Sequence, residues 1–192
     1  MNKQSKDKII VISIMSYYAR QIFAETKGYE FRKSPLKDCD LNQKIYVYSA
    51  KEDKAIIGYM KVSDIIKGNT NQILKATGYD IRPDKQEIVD YYGENFQRCC
   101  ALKLYDVTEF DEYLTLKDMR KIDPNIQLPQ YYSYIYKGDP LYQVIKEWDK
   151  TFSLDGEVSK TPNKDKAKIL CKGREIKQCT KWNYNPNILI LY

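Results

Sequence analysis

Three charged side chains stand close together in Lys27-Gly28-Tyr29-Glu30-Phe31-Arg32, where a helical pattern gives way to an extended one. In an extended strand successive side chains face opposite ways, so Glu30 and Arg32 share one face and Tyr29 and Phe31 the other. With the aromatic pair turned inward, a cation, a carboxylate and a guanidinium converge on one patch that can grip a polar or phosphate-bearing ligand. A solvated charged strand face has the same spacing. The chain of 192 residues contains no histidine, which removes the usual zinc ligand, the usual general base and every Ser-His or Cys-His nucleophile. Acid-base chemistry here has to run on Lys, carboxylate, Tyr, Thr or Cys.

The five cysteines, Cys39, Cys99, Cys100, Cys171 and Cys179, are an odd number without CxxC pairs. Their scattered spacing argues for free, reduced thiols and against a four-cysteine metal site. No metal and no cofactor is expected. No apolar run is long enough to span a bilayer, and Ile9 to Ile14 is too short for a signal peptide, so a cytoplasmic protein without a membrane partner is expected.

Positioning the charges requires strands and short helices in alternation. Ile9 to Ile14 reads as a buried first strand, and Tyr18, Ala19, Ile22 and Phe23 fall at helical spacing before the charged segment. Ile45 to Ser49 and Ala55 to Val62 read as antiparallel strands across the polar Lys51 to Lys54 turn. Ile73, Leu74 and Thr77, then Ile88, Val89 and Tyr92, mark two short helices, with Pro83 near the start of the second. Gln97 to Phe110 reads as a long strand, Thr115 to Ile122 as a helix, Tyr131 to Tyr136 as a last strand and Leu141 to Trp148 as a helix.

These segments resemble the ASCH domain family, a branch of the PUA-like β-barrels, whose first helix is followed by a G-x-K-x-x-E-x-R run. Lys27, Glu30 and Arg32 match that run, while Glu25 stands where the glycine is usual. Lys44 to Ser49 with Ala55 to Gly58, and Leu128-Pro129-Gln130-Tyr131-Tyr132-Ser133-Tyr134, fall in the family's order, the latter being similar to its P-P-Q-S-F-x-Y segment. The resemblance covers about the first three quarters of the chain. It implies an α+β fold: a mixed PUA-like β-barrel with flanking and inserted short helices over residues 1–148. Residues 149–192 would be a basic C-terminal extension, partly docked on the barrel.

That extension carries most of the net charge of +6, because residues 150–192 hold nine basic against four acidic side chains. A basic segment beside a barrel fits a polyanion, since lysines that neutralise phosphates gain affinity by releasing counterions. The resemblance implies an RNA or nucleotide-like partner in a cleft of Lys27, Glu30 and Arg32 with Tyr48, Ser49, Gln130, Tyr132 and Tyr134. Tyrosine rings there would stack on unpaired bases.

Two other functions remain open. One ASCH branch resembles an acetylcytidine amidohydrolase with a lysine and a nucleophilic threonine three residues apart. Lys27 matches the lysine, but Glu30 occupies the threonine position, so a hydrolase or ribonuclease would have to use Glu30 as acid-base and Lys27 beside it. The third function is a protein-interaction domain without catalysis.

Overall fold

The computed structural model describes residues 7–94 and 96–152, with no account of the Cys39 side chain. The expected docking of the C-terminal extension lies outside the described residues beyond Phe152.

The chain runs β1 (Lys8–Ile14), α1 (Ser16–Phe23), β2 (Tyr29–Arg32), β3 (Ile45–Ser49), β4 (Ala55–Gly68), α2 (Thr70–Thr77), α3 (Lys85–Tyr92), β5 (Cys99–Thr115), α4 (Leu116–Ile122), β6 (Tyr132–Tyr136) and α5 (Pro140–Phe152). Single 3₁₀ turns lie at Asp38–Asp40 and Tyr79–Ile81. The strands form one mixed sheet in the order β2-β5-β4-β3-β1-β6, with β1 and β3 parallel and every other pair antiparallel.

The expected barrel is not formed: β2 and β6 end the sheet, with no ladder between them. The sheet is nevertheless curled, because Arg32 on β2 donates from Nη2 to the Ser13 carbonyl of β1 at 2.6 Å, although three strands separate β2 from β1 in the sheet order. Register shifts in the β4–β5 ladder accompany the curl, since an extra residue on one strand bends it and sharpens its twist. A four-residue β2 spends its backbone bonds on β5 and leaves the rest of the gap to side chains.

Two apolar clusters among the described residues frame the site. The larger, inside the curl, joins Ile10, Ile12 and Ile14 to Ile22, Ile45, Val47, Met60 and Leu102. The smaller packs α2 and α3 against β2 and β5 through Phe31, Ile73, Leu74, Tyr79, Ile88, Tyr92 and Ala101. Each fully buried aliphatic side chain contributes about 1.5–3 kcal/mol relative to leaving it exposed. Close approach also matters at Gly58 on β4, where an added Cβ would stand 2.2 Å from the Thr108 carbonyl and 2.7 Å from the Phe23 ring.

Helix ends set the two segments that frame the charged strand. α1 closes in a Schellman motif: Thr26 N–H reaches the Gln21 carbonyl at 3.0 Å and Glu25 N–H the Ile22 carbonyl at 2.9 Å, with Glu25 left-handed at φ 56°. A non-glycine residue thus occupies a backbone that it adopts only under strain. Lys27 N–H also reaches the Gln21 carbonyl, at 3.2 Å, so the cap determines where Lys27 begins the strand. α2 starts in an Asn69–Gln72 capping box and stops at Gly78, left-handed at φ 73°, which turns the chain so that Tyr79 enters the smaller core.

Replacing Glu25 by glycine should stabilise the fold by about 0.5–1 kcal/mol, because the relieved left-handed strain exceeds the added chain entropy. The shift would be read as a higher urea midpoint at unchanged slope. A second prediction concerns alkaline pH. Burial pushes the Cys100 thiol up to about 11 from an ordinary 9.0, and burial also raises the phenol of its neighbour Tyr92. The folded chain therefore binds these protons more tightly than the unfolded one. Their contribution is complete below pH 9 and is lost as pH climbs toward 11, by roughly 2–3 kcal/mol for Cys100 alone. Urea titrations from pH 8 upward should show this fall, and Cys100→Ala should shrink it.

Candidate functional site

The strand β2 carries Glu30 and Arg32 into the gap between its own edge and β1, while Phe31 turns to the α2–α3 core. All three charges of the segment are sequestered, Lys27, Glu30 and Arg32 being 8%, 6% and 8% exposed. Lys27 Nζ lies 2.5 Å from Glu30 Oε2, and Arg32 Nε lies 2.9 Å from Glu30 Oε1. The second contact is an ion pair whose N–H is not aligned for a hydrogen bond, because Arg32 Nη2 is drawn away to the Ser13 carbonyl. Cys100 Sγ donates to the Arg32 carbonyl at 3.0 Å and fixes the strand beneath its side chain. Lys27 Nζ also sits over two rings, 5.5 Å from the Tyr18 centroid and 5.4 Å from that of Phe31.

The triad faces a cavity of about 230 Å³. Its walls come from four places: the β1–α1 junction with Ser13, Met15, Tyr18 and Gln21, the β2 triad with Phe31, the α2–α3 region with Tyr79, Asp84, Glu87, Ile88 and Tyr91, and the approach to β6 with Gln130 and Tyr131. Ser13 holds the last segment in place, its N–H donating to the Tyr131 carbonyl at 2.7 Å and its hydroxyl to the Pro129 carbonyl. Tyr18 donates its hydroxyl to Glu87 Oε2 at 3.2 Å across the cavity wall. Met15, Tyr91 and Tyr131 are exposed at the rim, Tyr131 at 66%.

Burial raises the phenols of Tyr18, Tyr79 and Tyr91, so all three are neutral donors at physiological pH. Glu87 adds to the shift at Tyr18, and Glu30 adds at Tyr79 and Tyr91, where nearby arginines act the other way. The wall carries three carboxylates, Glu30, Asp84 and Glu87, against Lys27 and Arg32, and Arg82 beside it neutralises Asp84 with Nε at 2.9 Å, so the charges balance. Such a cavity is apolar in its faces and hydrogen-bonding at its edges.

Of the residues expected in the cleft, Lys27, Glu30, Arg32 and Gln130 stand together on its wall. The other four are elsewhere, for reasons of packing. Tyr48 is buried on the far side of β3, and the Ser49 hydroxyl bridges Ser16 Oγ, at 2.8 Å, and Asp53. Tyr134 donates to buried Asp40 and lies 4.0 Å under Lys8 Nζ, and Tyr132 donates to the Pro35 carbonyl at 3.3 Å. Alternation along β6 carries these rings away from the triad, while Tyr131, just before the strand, turns to it. Tyr18, Tyr79, Glu87 and Tyr91 escaped sequence reasoning because three of them come from a helical segment remote in sequence. Gly78 before Tyr79 was the available signal. Among the described residues no cluster of His, Cys, Asp or Glu is placed to hold a metal ion, and no helix is long and apolar enough to cross a membrane.

Comparison with known proteins places this geometry in a family. The family described as Domain of unknown function (DUF365) matches residues 8–123. A curated relative from Zymomonas mobilis subsp. mobilis, named ASCH domain-containing ribonuclease, is 27% identical over 152 residues, covering 79% of this chain and 95% of the relative. The crystal structure of ASCH from Zymomonas mobilis superposes with a TM-score of 0.61 at 25% identity, over 71% of this chain and 93% of that one. A tyrosine-to-phenylalanine variant of the Zymomonas mobilis protein has the same fold, with a TM-score of 0.62 at 24% identity over 73% of this chain and 98% of the other. The mixed six-stranded sheet with its flanking helices is the architecture of those structures, and the chain belongs to the DUF365 family and is an ASCH-domain protein.

Proposed function

We propose that this protein acts on single-stranded RNA, capturing one unpaired nucleotide with its base inside the Lys27–Glu30–Arg32 cavity. The observation that carries the proposal is the placement of a two-cation, one-carboxylate cluster on the wall of an aromatic cavity too small for a base pair. RNA is read in sequence chiefly where bases are unstacked, by rings against their faces and polar groups against their edges. With Arg82 paired to Asp84 the wall has no excess positive charge to draw a phosphate inside, so the backbone would pass along the rim. Lys33 stands there, its Nζ 5.3 Å from the Tyr91 centroid and 5.5 Å from that of Phe96. The ribonuclease name of the Zymomonas mobilis relative supports RNA as the ligand.

Cleavage is a second reading, favoured by the same name and by the Lys27–Glu30 contact. Glu30 would take the proton of a ribose 2′-hydroxyl as its oxygen bonds to phosphorus. The phosphorus bond to the 5′-oxygen would break, and Lys27 would give that leaving oxygen a proton. Both Glu30 oxygens are already engaged by cations, so this step requires the ligand to displace one of them. Binding needs no such exchange and is the reading the geometry supports first.

Tyr131→Ala should weaken binding of single-stranded RNA by about 1–3 kcal/mol, the value of one base–ring stack, without lowering stability, since Tyr131 is exposed. Electrophoretic or fluorescence titration with single- and double-stranded competitors measures this; equal affinity for duplex, or no binding at all, would sink the proposal. Cleavage by wild type that Glu30→Gln abolishes would establish the second reading. Glu30→Ala, by contrast, should cost about 3–5 kcal/mol in urea unfolding, because it leaves Lys27 and Arg32 buried without their counter-charge.

A further inference from the structure

Most polar side chains around the cavity are committed to one another. Lys27 and Arg32 hold Glu30, Arg82 holds Asp84, Tyr18 donates to Glu87, and the Ser13 hydroxyl donates to the Pro129 carbonyl. The side chain of Gln21, on the α1 wall, makes no hydrogen bond among the described residues. It is half-buried, and the polar atoms sealed from solvent without a partner are Arg32 Nε and Tyr79 Oη, so both atoms of the Gln21 amide stay open to a ligand. Its main chain, by contrast, is pinned. The Gln21 carbonyl accepts Thr26 N–H at 3.0 Å, Lys27 N–H at 3.2 Å and the Thr26 hydroxyl at 3.1 Å. Met15, Tyr18 and Gln21 recur at helical spacing, so they lie along one face of α1, and all three line the cavity. Gln130 is the other amide on the wall, but it is exposed, and water competes for its bonds.

Resting on the RNA reading above, we propose that Gln21 hydrogen-bonds the edge of the captured base, using its NH₂ donor and its carbonyl acceptor together. A primary amide carries donor and acceptor side by side at a spacing set by covalent geometry, so one side chain supplies both halves of the contact. Its complement is a planar edge on which an acceptor stands next to a donor. Adenine and cytosine have that edge in an exocyclic amine beside a ring nitrogen, and the amide meets it with two bonds. Uracil and guanine present the pair in reverse order, which the amide meets by turning over. Gln21 therefore selects a base edge and does not choose among the four bases. Phosphate oxygens only accept, so they would leave the Gln21 carbonyl unpaired. A base edge stripped of its donor does the same, and such a ligand gives up the bond.

The test uses the full chain and its Gln21→Met variant, which keeps an unbranched, helix-compatible side chain but cannot bond an edge in this way. Each is titrated with oligoadenylate and with a strand of equal length in which every adenine is replaced by purine, the same ring system without the exocyclic amine. Wild type should bind oligoadenylate roughly tenfold more tightly than the purine strand, one hydrogen bond's worth. Gln21→Met should bring that ratio close to one by weakening oligoadenylate, with the purine strand changed far less. Its thermal midpoint should stay level, because the side chain bonds nothing else in the described fold. A difference in stacking between the two bases would persist in the variant, so the change in ratio reads the amide. The inference is overturned if the ratio survives the substitution, or if the variant loses affinity for both strands equally, with or without a lower midpoint. Wild type that binds both strands equally overturns this inference and leaves RNA binding intact, whereas wild type that binds neither overturns both.

Discussion

Everything at the site depends on one buried cluster, in which Glu30 is clamped between Lys27 and Arg32 while Arg32 reaches across to the Ser13 carbonyl. That reach joins β2 to β1 where no ladder does, so the same guanidinium balances a carboxylate and holds the curl of the sheet. Removing three charged groups from water is expensive, and well-packed apolar residues of similar volume can often replace such a cluster without loss of stability. A cluster whose only task was to brace the sheet would have no need of charge. Its position on a cavity wall is what the proposed binding role of these charges rests on.

The α2–α3 segment converts this cluster from a brace into a pocket. Without it, the triad would face solvent along an open edge of β2. The segment brings its own core, with Phe31 as the shared residue, and closes the cavity with Tyr79, Asp84, Glu87 and Tyr91. Two local devices position it: the Asn69–Gln72 capping box that starts α2 directly after β4, and the left-handed Gly78 that turns Tyr79 inward. Across the cavity, the Schellman turn after α1 does the corresponding work for Lys27, with Glu25 held in a left-handed backbone that glycine adopts more readily. The site is thus assembled from helix termini and one short strand, elements whose geometry is fixed by backbone hydrogen bonds and not by long-range packing alone.

Much of this was legible in the sequence, and the part that was not has a physical reason. Strand alternation and helical spacing are local, so the order β1 through α5 emerges, although β4 and β5 run on to Gly68 and Thr115, past the Val62 and Phe110 where the pattern ends. The Lys27–Glu30–Arg32 convergence follows from strand periodicity plus one helix cap. Whether a curled sheet closes depends on pairing between its two ends, which no local pattern records, and the barrel expectation fails there. The tyrosines of β3 and β6 look like binding rings by composition, but Tyr134 is drawn to Asp40 and Tyr132 to Pro35, both partners distant in sequence. Tyr79 and Tyr91 reach the cavity only because an insertion between β4 and β5 folds back over β2, a tertiary event that spacing cannot announce.

The absence of histidine gives the cluster its remaining significance. On the proposed cleavage reading, protons would have to move through a carboxylate, an ammonium or a phenol, and the cavity wall carries Glu30, Lys27 and several tyrosines. In the structure both Glu30 oxygens are engaged by cations, so on that reading Lys27 or Arg32 must be displaced before Glu30 can act on a ligand.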